Sequence, residues 1–209
     1  MGQKGQGKTT LAKKILNNIE RGFVFDVLGE YNGLGETVIN TRHLIKTIEK
    51  ILILKKTNWK LILKITNDTF LFDSAEIIWK FANFYKQYAD LDFWIFMEEC
   101  SMYMPNNSNN IFFNFIKYGR HFKINQVYIS RNTAEISKQI LSQADLIVSF
   151  KQIEPRHKET LEKYGFDVER LDKLEKFNYI TVGDKKILDV ILNKNNKTKI
   201  KNEVKNERH

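Results

Sequence analysis

The sequence predicts an α/β fold, a mostly parallel sheet with helices on both faces. Short apolar runs of strand type alternate along the chain with segments whose apolar residues recur at helical spacing. That alternation is the pattern of parallel strands joined by crossover helices. The composition supports one substantial core: of 209 residues, 42% are hydrophobic and 12% aromatic, too many for a mainly disordered chain. In sheets of this kind ligands bind beyond the carboxyl ends of the strands.

The elements follow in order. Lys8 to Arg21 places Leu11, Ala12, Ile15, Leu16 and Ile19 on one helical face, and Phe23 to Leu28 is a strand-type run. A second amphipathic helix, about Thr41 to Lys55, carries Leu44, Ile45, Ile48, Ile51 and Leu52; Leu61 to Ile65 is extended. Asp73 with Glu76 has the spacing of a capping box and opens a helix to about Tyr88. Phe93 to Met97 is the next strand. Ile111, Phe112, Phe115 and Ile116 mark a helix closed by Gly119; Gln126 to Ser130 and Leu146 to Phe150 are strands. Pro155 and Gly165 bracket a further helix. Tyr179 to Val182 and Ile187 to Leu192 flank Gly183-Asp184 and predict a C-terminal hairpin.

Charge and cysteine content narrow the class. There are 34 Lys and Arg against 25 Asp and Glu, a net charge of +9. Residues 193–209 hold six Lys and Arg, two Glu and five Asn, which predicts a basic disordered tail after a domain spanning 1–192. The domain keeps a positive balance, which favours a polyanionic partner. No apolar run approaches eighteen residues, so no transmembrane segment is expected. A lone cysteine, Cys100, cannot form an intrachain disulfide, and no signal-like segment opens the chain; a reducing interior is expected. The four histidines and one cysteine show no metal-ligand spacing. Trp59, Trp79, Trp94 and Cys100 read as packing residues.

The strongest chemical signal opens the chain. Gly2-Gln3-Lys4-Gly5-Gln6-Gly7-Lys8-Thr9, with Thr10 following, fits the phosphate-binding loop pattern in full. Backbone N–H groups can wrap a polyphosphate only where no Cβ obstructs them. Lys8 would then neutralise the β/γ oxygens, the Thr9 hydroxyl would coordinate Mg²⁺, and the following helix would add its positive dipole end. Such a loop ordinarily follows a buried strand, and only Met1 stands before Gly2. The expectation is a sheet whose central strand is missing, with a start upstream of Met1 or with the gap closed by rearrangement or a C-terminal strand.

Nucleoside triphosphate hydrolysis also needs a carboxylate at the end of a second buried strand. Phe93-Trp94-Ile95-Phe96-Met97 runs into Glu98-Glu99. Glu98 is placed to hold the Mg²⁺ shell through water, and Glu99 to position or deprotonate the attacking water.

Glu98-Glu99-Cys100-Ser101-Met102-Tyr103-Met104-Pro105 resembles the acidic-strand segment of the FtsK/HerA superfamily of P-loop ATPases. Three further blocks agree in order and spacing over roughly residues 2–155. Phe25-Asp26-Val27-Leu28-Gly29-Glu30-Tyr31 resembles the strand-end D-x-x-G-E-Y, Tyr118 to Phe122 the Gly-Arg helix end, and Ser130 to Phe150 the block with Arg131, Ala134 to Ser137 and Leu141 to Asp145. Within the superfamily the chain is most similar to genome-packaging ATPases of tailless double-stranded DNA viruses. It departs from the pattern at Glu98 (usually Asp), Asn132 (Arg) and Thr133 (Pro).

The resemblance implies a RecA-like P-loop NTPase fold, ATP and Mg²⁺ as cofactors, and a homo-oligomeric ring, a hexamer, that moves double-stranded DNA. It implies that Arg131 senses the γ-phosphate, that Arg120 reaches a neighbour's nucleotide, and that Asp26 and Glu30 orient water or metal or simply shape a turn. The partners implied are double-stranded DNA and capsid or membrane proteins, in the host cytoplasm or with the virion. The alternatives are a cellular, plasmid or phage-assembly translocase of the same superfamily, a small-molecule P-loop kinase, and a nucleotide-binding subunit without turnover.

Overall fold

The computed structural model describes residues 1–2, 5–105 and 110–193. The continuous apolar run Arg21–Asp26 forms β1, buried at all six positions. With β2 (Glu36–Val38), β3 (Trp59–Lys64), β4 (Phe93–Met97) and β5 (Ile124–Tyr128) it makes a five-stranded sheet of order β2-β3-β1-β4-β5, every pair parallel. Successive strand residues face opposite sides, and each side has its own helical layer. Phe23, Phe25, Leu61, Leu63, Ile95 and Met97 pack under α2 (Thr41–Ile53), α3 (Asp68–Ala89) and α4 (Phe112–Tyr118). Val24, Ile62 and Phe96 pack against Ile15 and Leu16 of α1 (Lys8–Asn18) and Leu188 of the helical residues 185–193. The expected fold class is thus realised, with helices on both faces.

The aromatic content concentrates on the first side. The rings of Phe23 and Trp59 lie 4.9 Å apart, with Phe81, Tyr85 and Phe93 around them, and Trp79 meets Phe115 edge-on at 5.4 Å. All three tryptophans pack against the core, and Cys100 is buried. Arg21 is buried too, its guanidinium donating to the carbonyls of Thr57 at 2.6 Å and Asp92 at 2.7 Å. It ties the β1 entrance to the segments that lead into β3 and β4.

One helix start differs from expectation. α3 begins at Asp68, because the Asn67 side chain accepts the Phe70 N–H at 2.8 Å and Asp68 sits in the first turn; Asp73, the expected cap, lies inside the helix. An Asx cap with an acidic first turn satisfies the orphan N–H groups one turn earlier. The short α5 (Lys138–Gln143) and α7 (Val168–Lys173) carry too few residues to show a period. Between them α6 (Pro155–Glu162) starts at its proline as expected.

The C-terminal antiparallel pair has a different membership. β6 (Leu146–Phe150) pairs with β7 (Tyr179–Gly183), whereas Ile187 to Leu192, the expected second hairpin strand, is helical. Ile187, Leu188, Ile191 and Leu192 recur at a spacing that one helical face also satisfies, and short apolar runs fit either period. Asp184 decides it: its side chain accepts the Lys186 N–H at 3.0 Å and starts a helix. Gly183 has φ 107°, and a Cβ there would stand 2.3 Å from the Asp145 carbonyl oxygen.

β6 and β7 form a sheet separate from the five strands. A groove of about 680 Å³ lies between β5 and β6, floored by Leu11, Ala12 and Ile15 of α1 and by Ile140 and Leu141 of α5. Among the described residues no strand lies in this groove. A C-terminal strand does not close it, since β7 pairs with the far edge of β6. Residues 194–209, most of the expected tail, lie outside the described residues.

Candidate active site

The carboxyl ends of β1 and β4 and the amino end of α1 converge. The loop before α1 turns through Gly5 at φ 76° and Gly7 at φ 116°, conformations that favour glycine. At Gly7 a Cβ would press on Phe177 at 2.9 Å and Phe150 at 3.0 Å, whereas at Gly5 nothing lies within 4 Å. Helix α1 opens directly at Lys8, with the Leu11 N–H donating to the Gly7 carbonyl at 2.9 Å. The Lys8 ammonium donates to the Gly2 carbonyl oxygen. Burial pushes the Lys8 pKa down, opposed by the negative charge of Glu99. Gln3 and Lys4, expected in the loop, fall outside the described residues.

Strand β4 delivers two carboxylates with different surroundings. The Glu98 N–H donates to the Phe25 carbonyl at 3.3 Å, prolonging the β1–β4 ladder by one bond. The side chain of Glu98 is 1% exposed and accepts a 2.6 Å hydrogen bond from the Tyr31 hydroxyl. Desolvation raises its pKa to about 7, against the lowering effect of the Tyr31 bond. Glu99 takes up φ 48°, a left-handed turn that ends the strand. It directs its carboxylate to Arg131, which pairs with one oxygen through its Nε while its backbone N–H reaches the other at 3.4 Å. The Arg131 position follows β5, the neighbour of β4, as the sheet order requires.

Asp26, at the end of β1, is 1% exposed and accepts the N–H groups of Glu30 at 2.9 Å and Tyr31 at 3.1 Å. This bonding makes it the organiser of the turn that carries Tyr31 to Glu98. Glu30 instead lines the phosphate-loop cavity. That cavity, about 270 Å³, is bordered by Gly5, Gly7, Lys8, Thr9, Glu98 and Arg131.

Arg120 is not among its walls. Its side chain is 75% exposed and pairs with Asp145 at 2.7 Å, at the rim of the groove between β5 and β6. His121 beside it is exposed. In a single chain, then, the structure joins Lys8, Thr9, Glu98, Glu99 and Arg131 and leaves Arg120 outside.

Lys13, Lys176 and Phe177 also border the cavity, and no sequence motif marks them. The Phe177 N–H donates to the Gln6 carbonyl at 3.1 Å, and Phe177 adopts φ 70°. Nothing in the local pattern at 175–178 marks this return to the loop, because long-range chain path alone brings it there. In the sequence, Tyr31 is marked only as the last residue of the strand-end motif.

The donor set fits a polyphosphate carrying a divalent cation. Two glycines free of Cβ, an ammonium and a helix amino end suit the phosphates, and a threonine hydroxyl beside a buried carboxylate suits a hard cation.

No protein-family model and no curated protein matches the chain. Solved structures do. The genome packaging NTPase B204 from Sulfolobus turreted icosahedral virus 2, in complex with AMP, aligns at a TM-score of 0.66 and 17% identity over 87% of this chain and 89% of that one. Its complex with sulfate gives 0.67 at 15% over 88% and 89%. The DNA-packaging ATPase B204 from Sulfolobus Turreted Icosahedral Virus gives 0.65 at 18% over 86% and 88%. The likeness is one of fold, and the fold agrees with the resemblance read from the four motif blocks.

Proposed function

From a fold shared with viral packaging NTPases, we propose that this chain is an ATP phosphohydrolase that drives double-stranded DNA, most closely a genome-packaging motor. The observation that carries the proposal is the meeting of the glycine loop, Lys8 and Thr9 with Glu98 and Arg131 around one cavity, with Glu99 held by Arg131. B204 has been crystallised with AMPPCP and with ATP-gammaS, which supports a nucleotide as the occupant here.

In this reading the loop N–H groups and the Lys8 ammonium bind the phosphates. Mg²⁺, held by the Thr9 hydroxyl and through water by Glu98, would supply charge neutralisation at the β and γ oxygens. The Glu99 carboxylate accepts a proton from the attacking water. For that, Arg131 must leave the Glu99 oxygen it covers, and the γ-phosphate is the stronger bidentate partner for a guanidinium. Arg131 thereby becomes the group that reports the γ-phosphate.

The domain's basic balance suits phosphate contacts shared by several subunits that present basic loops to a common channel, a ring in which Arg120 stands at the subunit edge. A hexamer, docking on capsid or membrane proteins and working in the host cytoplasm or with the virion, completes the proposal. Phosphate release measured with and without double-stranded DNA tests it. Stimulation by DNA supports a translocase. Transfer of phosphate to a small acceptor would point to a kinase, and absence of turnover to a binding subunit.

A further inference from the structure

Lys176 and Phe177 border the phosphate-loop cavity and take no part in the chemistry assigned to it. They belong to the turn that leads into β7, closed by the Asn178 N–H donating to the Glu175 carbonyl at 3.1 Å. Phe177 is the third residue of that turn and adopts φ 70°, a place where glycine is usual. A bulky side chain is strained there. Core burial does not offset the strain, because Phe177 is 55% exposed. The residue is held instead by the loop: its N–H donates to the Gln6 carbonyl at 3.1 Å, and its ring stands where a Cβ on Gly7 would come within 2.9 Å. Strained residues of this kind cluster at ligand clamps.

The two ends of the cavity come from different sheets. Glu98 and Arg131 follow β4 and β5 of the five-stranded sheet, whereas Phe177 precedes β7 of the two-stranded one. With the nucleotide placed as proposed, its γ-phosphate lies by Glu98, Glu99 and Arg131. A nucleotide runs in one line from γ-phosphate to base, so the ribose and base leave the loop on the other side, toward Phe177. The ring there is open to a ligand, and the Lys176 ammonium lies 5.1 Å from its centroid, the contact that an accessible aromatic face attracts.

We propose that Phe177 is the base-stacking platform of this site, and that it favours purine over pyrimidine nucleotides. The proposal rests on the nucleotide reading above. A base presents an apolar π-face to an aromatic side chain, and the two rings of a purine cover more of the phenyl group than the single ring of a pyrimidine. Stacking reads no base edge, so ATP and GTP are held alike by this residue.

The test is isothermal titration, with Mg²⁺ present, of the 209-residue chain, Phe177→Leu and Phe177→Trp. The probes are ATP, GTP, CTP and inorganic tripolyphosphate, which has the phosphates and no base. Leucine keeps an apolar side chain against Gly7 and removes the aromatic face; tryptophan keeps a face. The parent should bind ATP and GTP several-fold tighter than CTP. Phe177→Leu should weaken ATP and GTP by about tenfold, leave tripolyphosphate unchanged and erase the purine preference, which Phe177→Trp should retain. CTP bound by the parent as tightly as ATP would overturn the proposal, whatever the variants do. Equal weakening of ATP and tripolyphosphate in Phe177→Leu, or none of either, would also overturn it and leave the nucleotide reading standing, with Phe177 merely shaping the loop. A parent that binds neither ATP nor tripolyphosphate would overturn the nucleotide reading itself, and the platform with it.

Discussion

The phenol of Tyr31 donates a 2.6 Å hydrogen bond to Glu98 Oε2, with both side chains buried. Tyr31 is delivered by the turn that Asp26 organises, so the end of β1 holds the carboxylate at the end of β4. Glu98 has one methylene more than the aspartate usual at this position, and Tyr31 fixes the rotamers that the added length frees. Tyr31→Phe keeps the ring and removes the donor. The Mg²⁺ concentration for half-maximal hydrolysis should rise roughly tenfold, the scale of losing a partner that orients a metal ligand, with ATP affinity in the absence of metal unchanged. An unaltered Mg²⁺ dependence would reduce Tyr31 to packing.

The raised Glu98 pKa, about 7, has a pH consequence. Metal binding needs the ionised carboxylate, so protons compete with Mg²⁺ below that value and cease to compete above it. Mg²⁺ affinity should therefore increase by roughly tenfold from pH 6 to pH 8 and then level off. Since the Tyr31 bond lowers the Glu98 pKa, Tyr31→Phe should move the midpoint of this rise to higher pH. Isothermal titration at several pH values measures both.

Lys8 and Glu99 divide binding from chemistry. Lys8→Ala removes the charge that meets the phosphates, and nucleotide binding should fall below detection. Glu99→Gln keeps the cradle and removes the proton acceptor, so ATP should bind as in the parent while hydrolysis drops by about 10²–10⁴-fold. Retained turnover in Glu99→Gln would place the base elsewhere.

Arg120 pairs with Asp145 in the isolated chain, and an exposed pair of this kind contributes little to stability. Arg120→Ala should leave the unfolding midpoint and ATP affinity nearly unchanged. If it serves a neighbouring subunit, its loss should suppress hydrolysis by about 10³-fold or more. Mixing Arg120→Ala with Glu99→Gln then restores part of the activity, because one interface can combine an intact Arg120 with an intact Glu99. Co-assembly without recovery would leave Arg120 as a surface ion pair.

Much of this was legible in one dimension because the signals are local. The loop spells out its geometry in consecutive residues: glycines at 5 and 7 adopt the positive φ that the turn requires, and Lys8 begins the helix that follows. β1 and β4 announce themselves as unbroken apolar runs, since a strand buried on both faces has no polar side to alternate. The acidic pair at the strand exit was visible for the same reason.

What the tertiary structure alone decided depends on contacts across long separations. Ile187 to Leu192 satisfies both periods, and the Asp184 cap selects the helix. β7 joins β6 rather than its sequence neighbour because only the folded chain shows which strand edge is vacant. Arg131 could be assigned to Glu99, and Tyr31 to Glu98, only once parallel pairing set β4 between β1 and β5. Residues 32 and 67 apart in sequence meet there, and no local pattern encodes such a meeting. The sequence by itself determined the kinds of groups the site contains; the sheet order determined which of them touch, because side-chain reach is a few ångströms and chain separation carries no distance.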